Sequence, residues 1–292
     1  MTSASTSARP HSDTLAGLAF VFIWSTGYIA APAALHGMGP YTLACLRFFG
    51  SALLIALALL IRGATRPATR TLMHAAVAGA LLQAGFFGFT YAALRSGLPA
   101  AAAGLITGLM PLTTSLGGAF FLREKLRASA IVGLVVGLAG VLLVIAPALA
   151  QPASTLGYGL MLLALLSLSG GTLYQKRFVS GIDPLLSLLA QLLSAMLILA
   201  PAAWLVDGFR LHWSPIAIAG LSWAIVMNSC IGLLLMLSLL ARGASGKVAS
   251  LFYLVPPTTA VLAALILGVH FGLRDAAGFA LAATGVWLGQ RA

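Results

Sequence analysis

The chain has 292 residues, of which 61% are hydrophobic and only 7% are charged. Globular proteins are about half apolar and about a quarter charged, so this composition excludes a soluble enzyme or binding module. In a soluble protein the net charge of +11 would suggest a nucleic-acid partner. Basic residues between membrane spans instead record insertion orientation, so we predict an integral membrane protein with no nucleic-acid partner.

Ten apolar runs of helix length follow one another along the chain, separated by short loops. Residues 71–94 and 96–122, for example, contain no Asp, Glu, Lys or Arg, and each exceeds the roughly 20 residues that cross the hydrocarbon core of a bilayer. We predict transmembrane helices over residues 15–34, 41–61, 72–94, 98–122, 128–148, 156–175, 185–206, 215–240, 246–269 and 272–290. Residues 1–13, rich in Ser, Thr and Ala, are predicted to form a disordered cytoplasmic tail.

The distribution of basic residues predicts the orientation of these spans. If the N-terminus lies in the cytoplasm and the sides alternate, twelve of the sixteen Lys and Arg residues fall inside: Arg9, Arg62, Arg66, Arg70, Arg123, Lys125, Arg127, Lys176, Arg177, Arg242, Lys247 and Arg291. Arg95, Arg210 and Arg274 fall outside, and Arg47 lies within the second span. Because cytoplasmic loops retain Lys and Arg, we predict a multi-pass protein of a bacterial-type cytoplasmic (inner) membrane with both termini in the cytoplasm.

The sequence contains an internal repeat. An offset of 145 residues aligns spans four and five with spans nine and ten without a gap, and an offset of 144 aligns spans one and two with six and seven. Identical pairs include Leu109/Leu254, Pro111/Pro256, Thr113/Thr258, Thr114/Thr259, Gly133/Gly278 and Gly140/Gly285. The predicted fold is therefore an all-α integral membrane protein whose ten transmembrane helices form two five-helix repeats, residues 14–150 and 151–292. Because five is odd, the second repeat is inverted, an architecture found mainly in secondary transporters.

Several short motifs resemble those of one transporter family. They are Ile23-Trp24-Ser25-Thr26-Gly27, Leu46-Arg47-Phe48, Leu109-Met110-Pro111, and Leu122-Arg123-Glu124-Lys125-Leu126 followed by Gly133 and Gly140. In this order, within a doubled five-helix layout, the chain resembles the EamA-type drug/metabolite transporters. The resemblance implies that the spans other than the fifth and tenth surround a central substrate cavity, and that amino acids, including aromatic ones, are candidate substrates. One departure is clear, since the family's glutamate is present as Glu124 but is replaced by Val269 in the second repeat.

Ionisable residues are scarce at mid-depth of the predicted bundle. The five acids (Asp13, Glu124, Asp183, Asp207 and Asp275) and the five histidines (His11, His36, His74, His212 and His270) all lie at helix ends or in loops. Carriers driven by protons or sodium usually place an ionisable group inside the bundle, and an enzyme needs paired carboxylates, a metal set or an activated nucleophile there. We therefore predict neither an enzyme nor a side-chain proton-coupling site, and no cofactor or metal.

Arg47 lies six residues into the second span, where Gln191 is its counterpart in the seventh. The favoured interpretation is that it snorkels to the outer interface; the alternative is contact with a substrate carboxylate. On the favoured interpretation the central chamber is uncharged. Phosphorylated sugars are then disfavoured as substrates, because they need fixed cations to replace their hydration.

Polar and aromatic residues near mid-depth are the candidate substrate contacts. Gln83 and Asn228 are repeat-related amides, and buried amides serve either as interhelical contacts or as a site. Trp24 and Tyr28 share one helix face through their i, i+4 spacing, and bundle packing is the alternative role of such aromatics. The predicted substrate-binding set is Trp24, Tyr28, Gln83, Phe87, Thr107, Ser169, Asn228, Ser250 and Tyr253.

Prolines fall halfway along the fourth and ninth predicted spans. Pro111, Pro256 and Pro257 each remove an intrahelical hydrogen bond, and simple kinks are one explanation. Matched interruptions in both halves also point to a transporter's binding site. Freed carbonyls can bind an ammonium group and a half-helix N-terminus can bind a carboxylate, so such a site suits a zwitterion.

These observations predict a secondary transporter that exports small neutral metabolites, foremost amino acids with apolar or aromatic side chains, by alternating access. The alternatives left open are an exporter of cationic or amphipathic drugs and, in another class, a channel or scaffold. The expected partners are a small-molecule substrate and the lipid bilayer, and the layout is compatible with a monomer. The sequence does not fix the metabolite or the direction of transport.

Overall fold

A computed structural model describes residues 10–63, 69–122, 128–149, 152–179, 181–232, 234–235, 254–268 and 272–290. All the regular elements within these ranges are helices. They are α1 (Pro10–Leu35), α2 (Pro40–Arg62), α3 (Thr69–Gly79), π1 (Ala80–Gly85), α4 (Phe86–Arg95), α5 (Ala100–Thr107), α6 (Met110–Leu122), α7 (Ala128–Leu149), α8 (Pro152–Phe178), α9 (Pro184–Leu205), α10 (Pro215–Trp223), π2 (Ala224–Gly232), α11 (Val255–Leu267) and α12 (Leu273–Gln290). The predicted all-helical class is confirmed for this part of the chain.

Seven helical stretches among the described residues are long and apolar enough to cross a membrane. They are Leu15–Leu35, Pro40–Arg62, Thr69–Arg95, Ala100–Phe121, Thr155–Phe178, Pro184–Leu205 and Pro215–Gly232. These seven coincide with the predicted spans one to four and six to eight. Of the predicted ninth span only the second half is described, as α11; the fifth and tenth correspond to α7 and α12. Helix α1 begins at Pro10, so residues 10–13 of the predicted tail are helical, and residues 1–9 lie outside the described ranges.

Proline and short polar side chains set several helix starts. Pro40, Pro184 and Pro215 occupy the first helical turn of α2, α9 and α10, where the missing N–H has no intrahelical partner to lose. Asp183 Oδ1 accepts a hydrogen bond from Leu185 N at 2.8 Å, which caps α9. Because the connectors are this short, consecutive apolar helices cross back and forth through one bundle.

Three of the spans are not continuous α-helices. The third and the eighth each contain a π-helical stretch, π1 and π2. The fourth is interrupted at Gly108 and Leu109, just before Pro111, where α5 ends and α6 begins. Pro111 has no N–H to donate to the carbonyl of Thr107, so the break falls where the sequence predicted an interruption.

The helix boundaries repeat along the chain. Helices α6 and α11 begin at residues 110 and 255 and end at 122 and 267, an offset of 145 at both ends. Helices α7 and α12 begin at 128 and 273, at the same offset. Helices α2 and α9 begin at 40 and 184, an offset of 144, and the two π-helices begin at 80 and 224. The sequence repeat is therefore also a repeat of local structure.

Equivalent helices pack against each other in opposite directions. At the crossing of α7 and α12, a Cβ at Gly140 would lie 2.5 Å from the Gly278 carbonyl oxygen, and one at Gly285 would lie 2.5 Å from the Gly133 carbonyl oxygen. Since later residues of α7 meet earlier residues of α12, the two helices are antiparallel. Glycine is required there because the backbones approach too closely for a side chain.

Helices α2 and α9 are also antiparallel and are joined at both ends. At one end the Asp207 carboxylate accepts hydrogen bonds from Thr42 N at 2.7 Å and from Thr42 Oγ1 at 3.0 Å. At the other end Arg62 Nη1 lies 3.6 Å from Asp183 Oδ2. Elsewhere the contacts are reciprocal: α1 packs against α10, π2 and α11, whereas its counterpart α8 packs against α3, π1, α4 and α6.

The glycine crossing gives a stability test. The change Gly140→Ala should lower the free energy of unfolding by about 1–3 kcal/mol, because the new methyl group meets backbone atoms of α12 that cannot move aside. Gly159→Ala on α8 is the matched control, since nothing lies within 4 Å of a Cβ there. Thermal unfolding of the detergent-solubilised protein measures both, and equal midpoints for the two variants would contradict the antiparallel contact.

Candidate functional site

A narrow pocket lies between α1, α2, α4 and π2, inside the bundle. About 390 Å³ of space, part of it open to solvent, is left between the residues that line it. Its lining residues are Trp24, Gly27, Tyr28, Arg47, Phe86, Phe87, Thr90, Tyr91, Leu94 and Asn228. Nine belong to the first half of the chain and one, Asn228, to the second, so both halves contribute to one site.

The only charged side chain lining this pocket is Arg47. It is 5% exposed, and its Nε donates a hydrogen bond to Ser229 Oγ at 2.8 Å. Its Nη1 donates a second to the Tyr91 hydroxyl, and the guanidinium carbon lies 3.9 Å from the centroid of the Phe87 ring. Within the described ranges no Asp or Glu forms an ion pair with it. Arg47 is thus held by two hydroxyls and an aromatic face, with no carboxylate partner among the described residues.

The snorkelling predicted for Arg47 is wrong, and the chamber is not uncharged. The lipid-facing side of α2 is a stripe of exposed apolar residues, Phe49, Leu53, Leu57 and Leu60, and Arg47 lies outside it. It shares the buried face with Phe48, Ser51 and other residues at helical spacing. Hydroxyls from α4 and π2 meet the guanidinium there, so it need not reach the membrane surface. This stripe of large apolar residues is visible in the sequence and could have placed Arg47 on the buried side of α2.

Four of the predicted contacts, Trp24, Tyr28, Phe87 and Asn228, line the pocket. Thr107 lies behind Tyr28, whose hydroxyl donates to Thr107 Oγ1 at 2.7 Å, and it is not a lining residue. Their role as substrate contacts stays a prediction, now supported by a shared location.

The other predicted contacts lie elsewhere. Ser169 on α8 shares a 2.6 Å hydrogen bond with Thr113 of α6, away from the pocket. Gln83 is half-buried in π1 and does not line the pocket. Ser250, Tyr253 and the pair formed by Glu124 and Val269 lie outside the described residues. The predicted set did not include Arg47, for which contact with a substrate carboxylate was only the alternative interpretation. It also omitted Thr90 and Tyr91, which reach the pocket from α4.

The amide of Asn228 is positioned by π2. Its Nδ2 donates a hydrogen bond to the Ile23 carbonyl at 2.5 Å, and a Cβ at Gly27 would lie only 3.1 Å from Nδ2. A glycine at position 27 therefore lets the amide approach the α1 backbone. π-Helical segments inside α-helices occur frequently at functional sites because the extra residue displaces side chains. Gln83 lies on the equivalent segment, π1.

The predicted prolines lie where the fourth and ninth spans meet. Pro256 occupies the first turn of α11, and a Cβ at Gly108 would lie 2.5 Å from its Cγ. The break before Pro111 therefore packs directly against the start of α11. Pro257 follows in the same turn. The residues before Leu254 that would show whether the ninth span is also broken lie outside the described ranges.

A second hollow adjoins the pocket at one end of the bundle. It is lined by Pro32, Leu35, His36, Leu94 and Arg95, so Leu94 is common to both. Arg95 Nη1 donates to the Leu35 carbonyl at 3.0 Å, which ties the ends of α1 and α4 together. Leu94 therefore lies between the pocket and this end of the bundle.

A bundle of apolar spans around a buried pocket, with matched discontinuities in its helices, is the architecture of a membrane transporter. The profile of the EamA-like transporter family matches the chain twice, over residues 13–146 and 155–289. The chain belongs to the EamA-like transporter family. Its membership identifies it as a multi-pass membrane transporter rather than an enzyme.

Similar proteins extend over nearly the whole chain. "Probable amino-acid metabolite efflux pump" of Escherichia coli (strain K12) is 26% identical, covering 94% of each chain, and the protein of the same name in Salmonella typhimurium has the same identity and coverage. "Uncharacterized transporter YvbV" of Bacillus subtilis is 26% identical over 96% of this chain and 92% of its own length. A solved structure described only as "Crystal structure of protein" has a TM-score of 0.63 at 22% identity, covering 96% of this chain and 98% of its own, and supports the fold alone.

The surroundings of Arg47 predict that it contributes little to stability. Arg47→Met keeps roughly the same volume and removes the desolvation cost of a buried charge, but it also leaves the Tyr91 and Ser229 hydroxyls without this partner. Because the two effects oppose each other, the free energy of unfolding should change by less than about 1.5 kcal/mol. Phe48→Ala on the same buried face is the positive control and should cost about 3–5 kcal/mol. Thermal unfolding in detergent measures both. A loss for Arg47→Met as large as that for Phe48→Ala would make Arg47 a structural clamp instead of a binding residue.

Proposed function

We propose that this chain exports small neutral metabolites, foremost amino acids with apolar or aromatic side chains, across the bacterial inner membrane. The observation that carries the proposal is the buried Arg47 guanidinium in a pocket half of whose lining residues are aromatic. A fixed cation with unused N–H donors fits a carboxylate, and the rings of Trp24, Phe86 and Phe87 fit an apolar side chain. Two relatives at 26% identity are named amino-acid metabolite efflux pumps, which agrees with this chemistry.

The membrane arrangement we propose is ten spans in two inverted five-helix repeats. The coincident helix boundaries and the antiparallel pairs, α2 with α9 and α7 with α12, support it. The surplus of basic residues on one side supports cytoplasmic termini. In this orientation α2 begins at the outer face, and Arg47, seven residues further on, lies about 10 Å deep. The hollow that contains His36 and Arg95 then opens to the outside.

Transport in this arrangement is a rocking of the two halves about one site. The pocket between α1, α2, α4 and π2 lies in the outer half of the bundle, next to the exit that export requires. The interruption between α5 and α6, packed against the start of α11, is where the fourth and ninth spans bend. Helices α7 and α12 pack mainly against each other and contribute no lining residue, so they brace the bundle from one side.

The fixed charge of Arg47 also decides between alternative substrates. A cationic drug would meet a buried guanidinium and, among the lining residues, no acid, so like-charge repulsion disfavours it. A sugar phosphate could use the cation, but a single guanidinium among aromatic rings is poorly matched to a multiply charged, hydrophilic ligand. A monocarboxylate with an apolar body satisfies both features of the pocket.

Purified protein in liposomes provides the direct test. Phenylalanine loaded on one side should exchange with labelled phenylalanine on the other in a saturable manner, and tryptophan and leucine should compete while a quaternary ammonium dye should not. Arg47→Gln should reduce this exchange at least about tenfold, the effect of losing a hydrogen-bonded charge. Ser194→Ala is the control, because Ser194 Oγ bonds the Ala76 carbonyl far from the pocket. Flux that stays linear with concentration would indicate a channel and overturn the proposal.

We further propose that substrate moves down its own gradient without proton coupling. The lining residues include no Asp, Glu or His that could change protonation during transport. Collapsing the proton gradient with an ionophore at constant substrate gradient should therefore leave the rate of phenylalanine export unchanged. The measurement needs valinomycin and potassium to hold the membrane potential constant. A strong fall in rate under these conditions would show coupling to protons.

A further inference from the structure

Two polar atoms of the pocket have no hydrogen-bond partner in the described structure. Asn228 Oδ1 and Thr90 Oγ1 are both buried and without a partner, in residues that are 6% and 2% exposed. Both residues line the pocket that contains Arg47. Leaving a buried acceptor unsatisfied is unfavourable, so such atoms call for a physical explanation. Because they share the pocket with the Arg47 guanidinium, which has unused N–H donors, we infer that a ligand supplies the missing hydrogen-bond partners.

The amide of Asn228 itself determines whether its missing partner is a hydrogen-bond donor or an acceptor. Its Nδ2 donates to the Ile23 carbonyl at 2.5 Å, and because a carbonyl cannot donate, the amide orientation is fixed. The unused atom is then Oδ1, which only accepts. A ligand group that satisfies it must be a donor, such as an ammonium. The Thr90 hydroxyl can donate or accept and therefore adds polarity without preferring either charge.

Arg47 presents the complementary chemistry. Its hydrogen bonds to Ser229 and Tyr91 use two of its five N–H groups. The remaining donors suit a carboxylate, which guanidinium groups bind through paired hydrogen bonds. The pocket therefore contains a guanidinium on α2 that can bind an anion and an oxygen on π2 that can accept a hydrogen bond from an ammonium group. Aromatic rings of α1 and α4 line the same pocket.

We propose that Arg47 and Asn228 form a two-point site for the backbone groups of a free α-amino acid. Arg47 binds the α-carboxylate, Asn228 Oδ1 accepts from the α-ammonium, and the rings of Trp24 and Phe86 contact the side chain. This inference rests on the proposed function and refines it, because it requires both charged groups on the same ligand. It excludes simple carboxylic acids, simple amines and N-acylated amino acids as good substrates.

Three ligands with the same phenyl ring distinguish the carboxylate contact from the ammonium contact. Phenylalanine carries both groups, 3-phenylpropionate lacks the ammonium, and phenethylamine lacks the carboxylate. The assay is exchange of labelled phenylalanine by the wild-type protein in liposomes. Each analogue should need a concentration at least about tenfold higher than unlabelled phenylalanine to inhibit this exchange, as expected for the loss of one charged hydrogen bond. N-Acetylphenylalanine should compete as weakly as 3-phenylpropionate, because its amide N–H carries no positive charge and its acetyl group adds bulk at this position.

Substitutions at Asn228 then assign the ammonium. Asn228→Leu should weaken phenylalanine about tenfold and leave competition by 3-phenylpropionate unchanged, so that the two ligands become equal. Asn228→Asp, which keeps the acceptor and adds a negative charge, should improve phenethylamine relative to 3-phenylpropionate. Arg47→Gln should weaken phenylalanine and 3-phenylpropionate together and spare phenethylamine. Ser194→Ala, outside the pocket, should keep the wild-type order of all three ligands.

A binding measurement on the wild-type protein tests the same site without any variant that could misfold. The upward shift of the unfolding midpoint of the wild-type protein in detergent should be largest for phenylalanine and small for both analogues at equal concentration. If labelled phenylalanine shows no saturable exchange in the wild-type protein, the proposed function fails. If phenylalanine is exchanged but 3-phenylpropionate competes and stabilises equally well, the two-point site alone is overturned and the carboxylate suffices.

Discussion

A positive charge enclosed by a lipid-embedded bundle must be compensated by the protein around it, and this requirement organises the centre of the molecule. Arg47 cannot donate hydrogen bonds to hydrocarbon, and its desolvation is costly. Its hydrogen bonds to Tyr91 and Ser229 and its contact with the Phe87 ring draw α2, α4 and π2 together. Because these elements come from both halves of the chain, both halves supply the groups that compensate this one guanidinium.

The irregular helices serve the same centre. An uninterrupted α-helix through the eighth span would present its side chains with a strict period of 3.6, whereas π2 displaces them by one residue. Both Asn228, against Gly27, and Ser229, against Arg47, lie on this segment. Backbone groups released by such a segment are tolerated within a bundle because neighbouring helices and polar side chains satisfy them. The geometry of the pocket is thus obtained from a local departure from α-helix.

How much of this was predictable differs from feature to feature, for physical reasons. Hydropathy locates the spans because crossing hydrocarbon requires a minimum apolar length, and the fourth-span break follows from Pro111 because proline lacks an N–H. The i, i+4 spacing places Trp24 and Tyr28 on one face, and both line the pocket. Helix rotation is not fixed by length, so Arg47 was assigned to the wrong environment. Neither π-helix has a proline or comparable marker, so the contact of Asn228 with Ile23 could not be derived from sequence.

The two halves are similar in backbone but differ in the chemistry at the centre. Gln191, the counterpart of Arg47, is buried and donates to Gln175 at 3.1 Å and to Ser187 at 3.2 Å, so the equivalent position of the second half carries no cation. A carboxylate-bearing substrate, as proposed, would therefore meet one guanidinium, nearer one end of the bundle, instead of two equivalent ones. If transport is uncoupled, as proposed, the carrier cannot set the direction of net flux, which then follows the substrate gradient. The asymmetry can make the apparent affinities at the two membrane faces unequal, because the site must be reached from both sides while its fixed charge lies closer to one.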